Sequence, residues 1–308
     1  MAVFKTITDD TLREMVQHGD AKYPFAYYLE DIWQFDFHCI DWHWHHELEF
    51  VYIRKGAAVC FAGTEKMVLT KGYGLFINSS VLHRFEASES MVFPNIVFSP
   101  ALLSPEGSLI YEKYILPVIT SSVTCQLFSP QVEWQRQILQ LMETLFHVQE
   151  AGDADELRTL QLLLQFWDIL CQNVTFTPRP ATGGHQNFRQ ARLQFMMQYI
   201  QEHYTEDLTL DEIAAAASVS KSSTLQIFKA GIQVSPVAYL IRYRLSRAAQ
   251  QLSETEKSVS SIAEETGFQS AGYFCRKFRQ YYHATPNEYR KQKLEFQSAS
   301  CLKPQSMI

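Results

Sequence analysis

Between His43 and Glu49 the chain places three histidines and two glutamates, in Trp42-His43-Trp44-His45-His46-Glu47-Leu48-Glu49. On an extended strand side chains alternate, so His43, His45, Glu47 and Glu49 share one side and His46 points the other way. A further histidine, His83, closes Asn78-Ser79-Ser80-Val81-Leu82-His83. Imidazole nitrogens and carboxylate oxygens are ligands for zinc, iron, nickel or manganese. The same groups can hydrogen-bond a small molecule without metal, and buried histidines can be purely structural. The residues alone leave all three readings open. Trp42 and Trp44 should face away from His43, as packing or rim residues. Tyr27, Trp33, Phe35 and Phe37 are candidates to line a cavity, because ligand pockets combine an apolar wall with a few polar groups. Sugars stack well on aromatics, which makes a sugar the preferred occupant of such a cavity, although aromatic acids and amino-acid derivatives fit the same description.

Such residues need a frame. The first hundred residues read as strands: runs such as Leu48-Glu49-Phe50-Val51-Tyr52-Ile53 alternate with turns at Lys55-Gly56, Ala62-Gly63 and Lys71-Gly72. That spacing predicts a small antiparallel barrel or sandwich. From Ser129 the period becomes helical, with Ile138, Leu141, Met142, Leu145 and Phe146 on one face. A second helix, from Asp155 to Cys171, counts Leu157, Leu160, Leu164 and Ile169 among its apolar positions. The pair either covers the barrel or packs against another subunit. Thr177-Pro178-Arg179-Pro180-Ala181-Thr182-Gly183-Gly184 cannot continue a helix and marks a linker.

Beyond the linker lies a repeat of about 50 residues. Ile213-Ala214 returns as Ile262-Ala263, Phe228-Lys229 as Phe278-Arg279, Ser235-Pro236 as Thr285-Pro286, and Tyr239 as Tyr289. Each copy reads as helix, tight turn, helix. Gly267 supplies the left-handed residue of the second turn and Ser270 caps the next helix; Ser218 and Ser220 take those places in the first copy. The net charge of −6 is uneven: residues 187–292 carry 13 Lys+Arg against 10 Asp+Glu, which leaves −9 elsewhere. Phosphate contacts are local and screened, so this asymmetry permits nucleic-acid binding. The six cysteines (Cys39, Cys60, Cys125, Cys171, Cys275, Cys301) include no Cys-x-x-Cys pair, against a thiolate zinc site or a disulfide framework. No run reaches the apolar length of a membrane span, and the start lacks a secretory pattern. A cytoplasmic location without membrane contact is therefore expected.

The order and spacing of Ile262-Ala263, Gly267-Phe268, Tyr273-Phe274-Cys275-Arg276-Lys277-Phe278-Arg279, Thr285-Pro286 and Tyr289-Arg290, with Arg244-Leu245, Ala248 and Leu252 before them, resemble the DNA-binding domain of the arabinose-regulator (AraC/XylS-type) family. The resemblance implies two recognition helices set into successive major-groove segments by a rigid linking helix. Carried over, the first exposes Ser220, Lys221, Ser222, Ser223, Leu225, Gln226 and Lys229, and the second Ser270, Ala271, Gly272, Cys275, Arg276 and Arg279. Arg276 could read guanine and Gln226 adenine, while the helix N-termini, Lys229 and Arg279 suit phosphates. Phe228 and Phe278 should be core. The family often has arginine where Gln226 sits, and usually glycine where Gln233 and His283 stand.

His43, His45, Glu49, Gly56, Gly72 and His83 fit the paired motifs of the cupins, with Asn78 and Ser80 departing from the usual proline and glycine. Sensory cupins precede the DNA-binding domain in arabinose-type regulators. The resemblance thus implies an α+β chain: a cupin-like jelly-roll barrel at 1–125, a helical dimerisation segment at 126–175, a linker at 176–186, a double helix-turn-helix domain at 187–293 and a tail at 294–308. It implies a ligand-responsive transcription regulator, activation included, and not an enzyme. Its partners would be double-stranded DNA, a small-molecule effector, a second copy of the chain and RNA polymerase. His43, His45, Glu49 and His83 would bind the effector or a divalent transition metal; no cofactor is otherwise required. The alternatives are a metal-dependent cupin enzyme fused to a DNA-binding domain, and an effector-independent regulator.

Overall fold

A computed structural model describes residues 6–9, 11–35, 38–87, 89–152, 155–178 and 184–291, with side chains from 192 onward in the last stretch. These fall into two compact units that meet in the chain at 185/186.

The first unit holds two antiparallel sheets. One runs β1 (Phe25–Asp31), β8 (Val92–Phe98), β3 (Leu48–Tyr52), β6 (Gly74–Ile77) and β9 (Cys125–Phe128); the other β2 (Cys39–His43), β7 (His83–Ala87), β4 (Ala57–Ala62) and β5 (Glu65–Thr70). Alternation sorts their faces. Val51, Ile53, Leu75, Ile77 and Phe93 meet Ile40, Ala58, Cys60, Ala62, Phe85 and Ala87 between the sheets as one apolar cluster. On the outer face of the five-stranded sheet, Leu48, Phe50, Phe76, Ile96, Phe98 and Phe128 join a second cluster. The barrel does not end at 125, because Cys125–Phe128 pairs with β6; four residues are too few to show a period. Phe35 belongs to the inner core, whereas Tyr27 packs on the helical side and donates its hydroxyl to Glu150, so Tyr27 lines no interior. Trp33 stacks on His38 at 3.6 Å; Phe37 lies outside the described residues.

A short turn, α1 (Leu116–Ile119), precedes β9. Then α2 (Glu133–Glu150) and α3 (Glu156–Asn173) lie across the five-stranded sheet and share its outer core through Ile138, Met142, Leu145, Phe146, Leu162, Leu163, Phe166, Trp167 and Leu170. Of the apolar positions named for α3, Ile169 packs against this core, whereas Leu157 and Leu164 are 69% and 42% exposed. A helix rich in leucine on two sides gives no unique face to its period. The linker is shorter than 176–186. Ser122 binds Thr177 through its backbone N–H (2.9 Å) and its hydroxyl (2.8 Å to the threonine hydroxyl), and the next helix already starts at Gly184. Residues 179–183 and the tail at 294–308 lie outside the described residues.

The second unit is helical: α4 (Gly184–Glu202), α5 (Leu210–Ala216), α6 (Lys221–Gly231), α7 (Pro236–Glu254), α8 (Val259–Glu265) and α9 (Ala271–Tyr282), then helix again at 286–291. The repeat reaches the backbone. Gln233 and His283, 50 residues apart, both have φ 55°, and the inter-helix turns place Ser218 at φ 52° and Gly267 at φ 82°. A side chain with a Cβ costs about 1–2 kcal/mol in that region. Gln233→Gly and His283→Gly should therefore each stabilise this unit by about 1 kcal/mol, less the chain entropy that glycine adds to the unfolded state. Denaturant midpoints followed by far-ultraviolet circular dichroism test this; unchanged or lower midpoints would mean that the native side chains offset their own strain.

Candidate functional site

His43 ends β2 and faces His83, the first residue of β7, across the four-stranded sheet, with ring centroids 4.1 Å apart. Glu49 stands on β3 of the other sheet, and His45 lies in the turn between β2 and β3. The stretch from His43 to Glu49 is therefore a corner between sheets, not the single strand that alternation suggested. Three strands and a turn converge to bring ligand atoms of His43, His45, Glu49 and His83 within 4.8 Å of one another. All four residues are buried, between 0% and 5% exposed. Glu47, assigned to the same side, is only partly buried and stays 3.8 Å from the His45 ring. His46 turns outward to the Ser80 hydroxyl.

Each imidazole has one nitrogen committed to the main chain. His43 Nδ1 meets Asp41 O at 2.7 Å, His45 Nδ1 meets Glu47 O at 3.2 Å, and His83 Nδ1 meets Val81 O at 2.8 Å. A carbonyl oxygen only accepts, so each Nδ1 carries a proton, and in the neutral ring the Nε2 lone pair is left for the cluster. Backbone partners of this kind orient ligand histidines in metal sites. Glu49 Oε2 lies 2.9 Å from His83 Nε2 and 3.5 Å from His45 Nε2, yet neither it nor His83 Nε2 has a hydrogen-bond partner of good geometry. They lie close without being aimed at each other, as ligands to a shared centre would. Burial opposes the Glu49 charge, but His45 and His83 more than offset it and keep the carboxyl well below its usual range. Burial, with His83 beside it, lowers His43 to about 4 and keeps that ring neutral.

Further polar residues surround the cluster that no motif revealed. The segment before β1 runs along the corner, with Glu14 N–H donating to Trp44 O (2.9 Å) and Trp44 N–H to Leu12 O (3.0 Å). It brings His18 within 5.5 Å of the His45 ring, where His18 bridges Glu14 (3.0 Å) and the Tyr28 hydroxyl (2.9 Å). From β8, Asn95 donates to Glu30 (3.2 Å) and approaches Glu49 at 3.5 Å, while its own buried carbonyl oxygen has no partner. Burial, then the charges of Glu49 and Glu14, push Glu30 up to about 8, so it holds its proton at neutral pH. Tyr28 and Glu30 alternate on β1 and could have been assigned to this face, had the register of β1 against β8 been readable. Nothing in the sequence pointed to Glu14 and His18, because their segment has no regular structure. Trp42 is buried beside Phe61, and Trp44 donates its indole N–H to Thr11 O, so both are packing residues.

In the helical unit, Ser220 and Ser270 cap α6 and α9, each accepting the backbone N–H three residues on (Ser223 and Tyr273). Behind them Thr224, Ile227, Phe228, Phe274 and Phe278 are buried. Lys221, Ser222, Leu225, Gln226 and Lys229 remain exposed on α6, and Gly272, Arg276 and Arg279 on α9, whereas Ser223, Ala271 and Cys275 are partly covered. Lys221 pairs with Asp211 at 3.0 Å, and the Arg276 guanidinium lies 5.4 Å over the Tyr273 ring. A groove of about 500 Å³ along α9 is lined by Cys275, Arg276, Arg279, Gln280 and Thr285. The expected DNA-contact residues had not included Gln280 and Thr285. Arg244 on α7 donates to Tyr204 O and Glu206 O, both at 2.6 Å, and ties the α4–α5 junction to the linking helix.

Two family models match the chain: an AraC-like ligand binding domain over residues 32–167 and a helix-turn-helix domain over residues 213–292. The uncharacterized HTH-type transcriptional regulator YdeC of Bacillus subtilis is 30% identical, over 92% of this chain and 98% of its own length. The melibiose operon regulatory protein of Escherichia coli is 24% identical over 81% of this chain and 83% of its own. The HTH-type transcriptional activator RhaS of Pectobacterium atrosepticum is 24% identical over 81% and 87%.

Proposed function

The chain belongs to the AraC-type family of transcription regulators, with a ligand-binding domain followed by a helix-turn-helix DNA-binding domain, and we propose that its barrel holds a divalent transition metal and, beside it, a small hydroxyl-rich effector such as a sugar. One observation carries the metal reading: His43, His45, Glu49 and His83 converge within 4.8 Å with their Nδ1 protons already given to the main chain. Three imidazoles and one carboxylate suit zinc, iron, nickel or manganese. Such an ion would give an effector oxygen an electrophilic point of attachment. Tyr28, Glu30, Asn95, Glu14 and His18 would bind the remaining polar groups; the unpartnered Asn95 oxygen, which needs a donor, supports a ligand that carries hydroxyls.

In this reading the site binds and does not turn over, in a protein of the cytoplasm. Ligand affinity can shift DNA binding only by its difference between two states of the protein, a coupling of about 1–3 kcal/mol. The chain acts as a dimer through the outer faces of α2 and α3, where Leu157 and Leu164 are exposed beside a groove of about 480 Å³ lined by Gln137, Gln140, Leu141, Thr144, Gln165, Asp168 and Ile169. A dimer would offer four helix-turn-helix units to direct or inverted half-sites, and its DNA-binding domains would be positioned to meet RNA polymerase.

Metal analysis of protein purified without chelator tests the centre. Wild type is expected to hold about one equivalent per chain, and His83→Ala and Glu49→Gln to lose it, since a mononuclear site needs its full ligand set. Wild type without metal, even after incubation with each candidate ion, would overturn the metal reading and leave the four residues as direct effector ligands. A metal-loaded protein that consumed the effector would instead favour the enzyme alternative.

A further inference from the structure

The repeat gives α6 and α9 one register. Ser220 and Ser270 cap both helices in the same way, Phe228 and Phe278 are both fully buried, and Gln233 and His283 share the same left-handed backbone. Positions 50 residues apart are therefore equivalent, so Gln226 and Arg276 stand on the same turn and face, and both are exposed. Their chemistry differs. A carboxamide offers one donor and one acceptor, which matches the N6 and N7 edge of adenine; a guanidinium offers only donors, which matches O6 and N7 of guanine. One residue earlier, Leu225 is 44% exposed, although its neighbours Thr224 and Ile227 are buried. A leucine left out on a polar face suits the methyl group of thymine. Its counterpart Cys275 is shorter and partly covered.

Gly272 adds a difference in approach. A Cβ there would meet nothing nearer than Ser270 Oγ at 3.7 Å, so the protein's own packing does not call for glycine. Glycine inside a helix is unfavourable relative to alanine. Its counterpart is Ser222, so α9 can bring its backbone closer to a partner than α6 can.

We propose that α6 reads A·T pairs through Gln226 and Leu225 and that α9 reads a G·C pair through Arg276, so that one chain's binding site is bipartite and directional. An A·T-bearing block and a G-bearing block lie about one helical turn, roughly 10 base pairs, apart. This rests on α6 and α9 being the helices that enter the DNA.

Selection from a random double-stranded DNA library by the full chain, at one fixed salt concentration, tests it. Wild type should enrich both blocks at that spacing, with roughly 10- to 100-fold discrimination at the adenine and at the guanine. Gln226→Arg should turn the selected adenine into guanine, Arg276→Gln should do the converse, and the double exchange should reverse the order of the blocks. Both side chains are exposed, and arginine and glutamine have similar helix propensities, so unchanged melting curves serve as the folding control. Gly272→Ala should weaken binding to every selected sequence while leaving the motif intact. A wild-type motif that both exchanges leave unmoved would overturn the proposal and leave α6 and α9 as DNA helices. Failure of wild type to enrich any sequence would overturn both.

Discussion

Gly267→Ala will destabilise the DNA-binding unit by about 3 kcal/mol. The residue sits at φ 82°, where a side chain costs about 1–2 kcal/mol. Its new Cβ would also stand 2.6 Å from Tyr204 O and 2.9 Å from Arg244 Nε, too close for either to stay in place. Both belong to the contact that ties α7 to the α4–α5 junction, so the substitution strikes the joint between the two helix-turn-helix units. All five tryptophans (Trp33, Trp42, Trp44, Trp134 and Trp167) lie before residue 185. Their fluorescence follows the sensor unit alone, whereas far-ultraviolet circular dichroism follows the helices of both. The dichroism midpoint should fall while the fluorescence midpoint holds, with DNA affinity dropping alongside. A shift of less than about 1 kcal/mol would mean that this turn relaxes at little cost.

Phe166→Ala will produce the opposite pattern, a loss of about 3–5 kcal/mol from the sensor unit with the DNA-binding helices untouched. Phe166 on α3 is fully buried, and its ring packs against Phe50 (5.7 Å), Phe76 (6.0 Å) and Phe128 (6.2 Å), one from each of three strands of the five-stranded sheet. Truncation leaves a cavity between helix and sheet that neither side can close without moving. Because α2, α3 and the outer sheet face form one cluster, the tryptophan transition should shift as a single step. A separate early loss of α3, with the barrel intact, would show that the helices only rest on the sheet.

These two predictions also mark what was legible in the sequence. The helical unit was open to reading because its signals are local: serine caps, a glycine turn and a phenylalanine spacing that occurs twice. The four-residue cluster was identified through motif resemblance, but the geometry that unites it was not. Alternation treated residues 43–49 as one strand, whereas the chain turns a corner there and joins two sheets, which explains why Glu47 falls away and Glu49 stays. Glu14, His18, Tyr28, Glu30 and Asn95 reach the cluster by strand register and by an irregular segment, and neither leaves a periodic trace. The inward face of α3 was not legible for a related reason: Leu157 and Leu164 look as apolar as Leu162 and Leu163, and only the sheet decides between them.

His43, His45 and His83 take their orientation from Asp41 O, Glu47 O and Val81 O, and thus from main chain that every residue type supplies. Substitutions at Asp41, Glu47 or Val81 leave those acceptors in place. Across a lineage, the electronic character of the imidazoles is therefore insulated from drift in the side chains around them. Under the function proposed above, positions 14, 18, 28, 30 and 95 could diversify toward new ligands while the centre beneath them stays constant. A descendant could change what it senses without rebuilding how it holds on.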